Sequence, residues 1–200
     1  SRLRSLPPMP GPADPSRAPL MEARAIHKRF LGVHALKAVT AAFYPGEIVA
    51  VMGENGAGKS TLMKCLAGVH QPDEGEILFE GRVTRIGDVR RAAELGISFI
   101  HQELNLADNL SVGASIFLGR EPTKGPFIDE RLIRERTREL MAQLDIPFST
   151  DELVRNLSIG HQQMVEIAKA LSLEARILIM DEPTSSLSHH ETERLFEVVR

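Results

Sequence analysis

Residues 53 to 61 run Gly53-Glu54-Asn55-Gly56-Ala57-Gly58-Lys59-Ser60-Thr61, and residue types in this order predict a loop built to hold phosphate. Three glycines let the backbone bend tightly with no side chain in the way. The free N–H groups of the loop and of the first turn of a following helix then converge on one spot, where the helix dipole adds partial positive charge. Lys59 supplies a full charge, worth roughly 4 kcal/mol at about 4 Å from a phosphate oxygen and an effective dielectric of about 20. Ser60 is suited to holding a magnesium ion through its hydroxyl. The pattern carries this meaning when a strand precedes it and a helix follows. The apolar run Glu47-Ile48-Val49-Ala50-Val51-Met52 predicts the buried strand, and a helix is expected to begin at Ser60.

A second constellation is Ile177-Leu178-Ile179-Met180-Asp181-Glu182, four apolar residues followed by two carboxylates. The run predicts a central strand of an open α/β sheet, and ligands of such sheets bind at the strands' carboxyl ends. Beside a phosphate loop, an Asp at that end holds the magnesium shell and an adjacent carboxylate orients and polarises the attacking water. Asp181 and Glu182 fill those two places. Nucleotide binding by itself leaves kinases, GTPases, helicases and transport ATPases open, because all share the loop.

The elements that position these residues are legible along the chain. The first 20 residues carry Pro7, Pro8, Pro10, Pro12, Pro15 and Pro19 and lack the apolar core of a signal peptide, so they are expected to be a disordered tail. Strand-like runs follow at Ala23 to Phe30, Leu36 to Tyr44, Glu47 to Met52 and Gly75 to Glu80, separated by turns at Pro45-Gly46 and Pro72-Asp73, so hairpins should flank the phosphate-loop strand. Buried strands are expected at Gly96 to Ile100 and at Arg176 to Met180, with a helical insertion between them. Within it, Ser111 to Leu118 reads as a short helix. Asp129 should cap a longer helix whose Leu132, Ile133, Leu140, Met141 and Leu144 share one side. Ser188 and Glu191 form a capping box that starts a final helix.

Composition is that of a globular protein: 200 residues, 42% hydrophobic, 26% charged and a net charge of -3. With 24 basic against 27 acidic residues there is no basic excess to favour nucleic acid as a partner. Runs such as Ile177 to Met180 fall far short of the ~20 apolar residues that span a bilayer. Cys65 is the single cysteine, so no intrachain disulfide is possible and a small core residue is expected there, with the cytosol as the default compartment.

Three further segments carry a family resemblance. Leu157-Ser158-Ile159-Gly160-His161-Gln162-Gln163 resembles the signature motif of ABC-transporter ATPases, Gln102 resembles their Q-loop glutamine, and Asp181 to Ser188 resembles their Walker B and D-loop run. More narrowly, Phe99 to Leu106, Asn109 to Val112, Ile116 to Pro122 and Met164 to Leu171 resemble the ATP-binding subunits of ribose-, xylose- and galactose-type monosaccharide importers. The resemblance implies a P-loop NTPase (RecA-like) α/β core with an antiparallel β subdomain and an α-helical insertion at about 103–160, residues 21–200 forming one incomplete nucleotide-binding domain. It implies ATP and Mg2+ as cofactors. Residues 53–61, Phe30, Ser158 and Gly160 would bind nucleotide, Glu182 and Gln102 would act in catalysis, and Ser60, Gln102 and Asp181 would hold the metal. Phe30 stands where the family stacks an aromatic on adenine, a core role being the alternative.

On the same resemblance, two ATPase domains close head to tail, so that Ser158 and Gly160 of one complete the phosphate loop of the other. The partners implied are transmembrane permease subunits, a second ATPase domain and, indirectly, a periplasmic sugar-binding protein, with no nucleic acid. The place implied is the cytoplasmic face of the plasma membrane. The chain then corresponds to most of the first of two tandem domains and stops before the family's switch histidine, so weak nucleotide binding and poor hydrolysis are expected of it alone. His189 and His190 are expected to be exposed first-turn residues. His161 departs from the glutamine usual at its position, while Ile159 and Ser188 are ordinary for the sugar-import subgroup. The alternatives are a non-hydrolysing nucleotide-binding fragment and a soluble ABC ATPase outside transport.

Overall fold

In the computed structural model, which describes residues 18–101, 106–181 and 187–199, Leu31 and Gly32 take positive φ angles of 41° and 87°. Such a two-residue turn matches the right-handed twist of paired strands, and it folds β1 (Met21–Phe30) onto β2 (Val33–Phe43) as an antiparallel hairpin. β3 (Glu74–Phe79) pairs with the other edge of β1, and the two-residue β4 (Arg82–Val83) completes the order β2-β1-β3-β4. Met21 and Ala23 alternate into the buried face. Ala25, at φ 47°, then sits in a register shift between Ala23 and Ile26, and that extra residue returns Ile26 to the inside. α1 (Lys59–Leu66) packs on β2 and buries Leu62, Cys65 and Leu66. All of this belongs to one compact unit that ends at Asp88, and a second begins at Val89.

The strand expected at Glu47 to Met52 is absent. These residues have no regular structure, and Ile48, Val49, Val51 and Met52 are exposed, Met52 by 89%. An apolar run becomes a buried strand only where neighbouring strands complete its ladder and other elements cover it. Here the chain leaves β2 through Pro45 and Gly46, whose φ is 73°, and the Glu47 carboxylate accepts a hydrogen bond from the Tyr44 N–H at 3.1 Å. Among the described residues, no strand pairs with the segment that follows.

In the second unit, α2 (Val89–Glu94) leads into β5 (Ile97–Ile100), which pairs in parallel with β8 (Ile177–Met180) from Ile97 opposite Ile177 to Ile100 opposite Met180. Parallel strands need a long crossover. It holds α3 (Val112–Ile116), a small hairpin of β6 (Thr123–Lys124) and β7 (Phe127–Ile128) that the sequence did not announce, α4 (Glu130–Gln143) and α5 (Ile159–Leu171). α6 (His189–Val199) follows β8.

The cap expected at Asp129 forms, its Oδ1 accepting from the Leu132 N–H at 3.0 Å, and α3 is capped by Ser111, whose Oγ accepts from the Ala114 N–H at 3.3 Å. At Ser188 the capping box closes both ways: its N–H donates to Glu191 Oε2 at 2.7 Å, and the Glu191 N–H donates to Ser188 Oγ at 3.3 Å. His189 and His190 are exposed in the first turn of α6, as expected.

α5 is the central helix of this unit. Met164, Val165, Ile167 and Ala168 are at most 2% exposed and join Ile100, Val112, Ile116, Met141, Leu144 and Leu195 in one apolar cluster. Ile167→Ala should therefore lower the stability of the second unit by about 2–5 kcal/mol, the usual cost of a large-to-small change in a full core. Urea denaturation followed by circular dichroism checks this, and a loss below about 1 kcal/mol would contradict the packing.

Candidate functional site

The phosphate loop begins with a tight turn in which the Ala57 N–H donates to the Glu54 carbonyl at 3.1 Å. It ends at Gly58, whose φ of 90° is the left-handed conformation that glycine alone adopts freely. A Cβ at Gly58 would lie 2.6 Å from the Ala35 carbonyl oxygen and 2.9 Å from Leu36 Cδ2, so the close seating of the loop on β2 requires a bare backbone. α1 starts at Lys59, one residue before the expected Ser60, and the first intrahelical bond runs from the Leu62 N–H to the Gly58 carbonyl at 2.9 Å.

No side chain caps this helix. Its first N–H groups have no intrahelical acceptor, and they stand where the dipole favours an anion. Lys59 reaches back across the loop, its Nζ donating to the carbonyls of Gly53 at 2.7 Å and Glu54 at 2.9 Å. The cation is thus held at the mouth of the loop by two neutral acceptors, and no carboxylate among the described residues pairs with it. Gly53, Glu54, Asn55, Gly56 and Ala57 are exposed, while Gly58, Lys59, Ser60 and Thr61 are half-buried. The geometry suits phosphate: backbone donors, one ammonium, and the Ser60 hydroxyl in the first helical turn. Cys65, on the inner face of α1, is buried, which pushes its thiol up to about 11 and leaves it a core residue.

In the same unit Phe30, at the end of β1, is 37% exposed. His70 meets its edge with ring centroids 5.1 Å apart, and Lys28 Nζ lies 5.4 Å from its centroid. Asp73 organises this surface, accepting from Lys28 Nζ at 2.8 Å and from the Arg29 N–H at 2.7 Å. Arg29 pairs in turn with Glu74 at 2.8 Å. The sequence did not reveal these long-range contacts, nor the hydrogen bond of 3.1 Å between His27 Nδ1 and His34 Nε2. The hydrogen bond from Lys28, above all, holds the Asp73 carboxyl below its ordinary range, helped by the Arg29 N–H.

The second unit carries the remaining expected residues. Asp181 follows β8 directly and is 5% exposed, its N–H donating to the Ile100 carbonyl at 3.1 Å, so the carboxyl ends of both parallel strands are joined there. Glu182 and Gln102 lie outside the described residues. Ser158 is the N-cap of α5, its Oγ accepting from the His161 N–H at 3.3 Å, which leaves the hydroxyl proton free to donate elsewhere. Gly160 stands in the first turn beside it, where N–H groups have no intrahelical partner. Ser158 and Gly160 therefore stand together at the start of α5.

Comparison with known proteins agrees with this geometry. The family model described as ABC transporter matches residues 36–185, and the chain belongs to that family. It is 46% identical over 198 residues to the putative ribose/galactose/methyl galactoside import ATP-binding protein 1 of Burkholderia ambifaria, covering 99% of this chain and 38% of that protein. It is 48% identical over 186 residues to the galactose/methyl galactoside import ATP-binding protein of Salmonella typhimurium, covering 93% and 37%. The chain thus spans less than two-fifths of the length of these relatives. Among solved structures, a dimeric post-hydrolysis ATP-binding cassette bound to ADP and Pi is similar with a TM-score of 0.76 and 26% identity, over 90% of this chain and 81% of that one. A nucleotide-free ATP-binding cassette from an ABC transporter has a TM-score of 0.79 at 24% identity, over 91% and 76%, and shows the shared fold. The fold is that of the P-loop NTPases.

Because the folded-state carboxyl of Asp73 is depressed, its contribution is present above the ordinary carboxylate range and lost as pH falls through its folded value. The melting temperature of the wild-type chain should exceed that of Asp73→Asn at neutral pH, and the difference should vanish on acidification below that range. A difference independent of pH would contradict the assignment.

Proposed function

We propose that this chain is the nucleotide-binding part of an ATPase that powers import of a monosaccharide across a membrane. The observation that carries the reading is the phosphate loop, with its uncapped helix start and Lys59 held at its mouth by two carbonyls. The sugar-import names of the relatives that are 46% and 48% identical supply the transport context.

In this reading the loop N–H groups and Lys59 bind the β- and γ-phosphates of ATP, and Phe30 stacks on the adenine. Ser60, Gln102 and Asp181 offer a hydroxyl, an amide carbonyl and a carboxylate, oxygen donors of the kind Mg2+ prefers. When bound, Mg2+ neutralises charge on the phosphate oxygens. Glu182 orients a water for in-line attack on the γ-phosphorus and accepts its proton, a new O–P bond forming as the bond to ADP breaks. Ser158 and Gly160 serve the γ-phosphate of a second ATPase domain, each helix start completing the other domain's site. The helical part of the second unit meets the permease at the cytoplasmic face of the membrane, and a periplasmic sugar-binding protein acts through that permease.

Phosphate release from Mg-ATP by the full-length protein tests this. Glu182→Gln should lower the rate by about 100-fold or more, the usual contribution of a positioned base, while ATP still binds. A rate unchanged by the substitution would contradict the reading.

A further inference from the structure

His161 is a signature residue whose side chain the function above does not use, and the structure gives it a place. Its backbone N–H donates to Ser158 Oγ at 3.3 Å. Its imidazole points away from that turn, with the ring 4.9 Å from Phe148 and Nε2 3.8 Å from Glu191 Oε1. Glu191 is itself fixed, because its other oxygen accepts from the Ser188 N–H at 2.7 Å and closes the capping box of α6. One residue therefore joins two helix starts. Its main chain holds the signature serine and its side chain holds the first turn of α6, a helix anchored to the core by Leu195, which is fully buried.

We propose that His161 is a positioning residue that locks the first turn of α5, and with it Ser158 and Gly160, to the start of α6, and does so more firmly when the imidazole is charged. The functional consequence rests on the reading that Ser158 and Gly160 serve a phosphate; the lock itself does not. The charged and titratable groups gathered around the ring are Glu191 and His190 from α6 and Asp145 from the loop after α4. The two carboxylates attract the ring when it is charged, and a charged His190 opposes it. Lower pH raises the charge an imidazole carries, so the lock tightens on acidification. Glutamine at position 161 would keep the backbone bond to Ser158 and could not make this charged pair.

The pair can be separated from the cap it shares. Glutamine at the third position of a capping box still reaches back to the N-cap N–H, so Glu191→Gln keeps α6 capped and removes only the charge. His161→Gln keeps the bond from residue 161 to Ser158. The experiment is a double-substitution cycle of His161→Gln and Glu191→Gln in the full chain, read by amide hydrogen exchange of residues 159–163 at pH 6 and at pH 8 as ratios to wild type at the same pH. With side chains 35% and 22% exposed, the pair is partly screened, and exchange in either single variant should rise about two- to four-fold at pH 6. The double variant should exchange no faster than the singles, and all ratios should approach one another at pH 8. Additive effects that are the same at both pH values would overturn the proposal, since a merely structural contact has no reason to follow the charge. No nucleotide enters this measurement, so failure of the ATPase reading leaves its outcome intact, and failure of the cycle leaves the phosphate loop untouched.

Discussion

The nucleotide site proposed for this protein depends on a backbone approach at Gly58. The loop must bring several N–H groups to one point while pressing against Ala35 and Leu36, and that seating leaves no room for a Cβ where a side chain would meet the Ala35 carbonyl at 2.6 Å. The same residue has a φ of 90°, so two independent constraints, space and conformation, select glycine. Once Gly58 is in place α1 starts without a side-chain cap, at an end where the helix dipole favours an anion. Lys59, drawn to the Gly53 and Glu54 carbonyls, waits at the mouth with two neutral acceptors. A phosphate would exchange two neutral acceptors for a charged one, which is the stronger partner.

The second unit solves a related problem with a different device. α5 is buried along nearly its whole length, yet its first turn must remain accessible if Ser158 and Gly160 are to serve a ligand. Burial of Met164, Val165 and Ile167 fixes the body of the helix, and short-range polar contacts fix its start. Ser158 supplies the cap, and His161 connects that start to Glu191. Rigid packing behind and polar contacts in front let a helix end face outward without fraying.

Local chemistry made much of this readable from residues alone. The caps at Ser111, Asp129 and Ser188 depend on side-chain oxygens three residues from the N–H groups that donate to them, so sequence spacing contains them. The apolar side of α4 and the parallel strands β5 and β8 followed from periodicity in the same way. Glu47 to Met52 did not, because its apolar character says that it would be buried if paired and nothing local says whether a partner strand is present. The β6 and β7 hairpin is too short to show a period. Lys28 with Asp73 and His161 with Phe148 join residues distant in sequence whose meeting depends on the completed fold.

The central claim is that residues 53–61 form a working nucleotide site. A calorimetric titration of Mg-ATP into the 200-residue chain, with Lys59→Ala beside it, addresses that claim directly. The account predicts saturable binding in the wild-type chain that the substitution removes. Binding of equal strength in both proteins, or none in either, would contradict it.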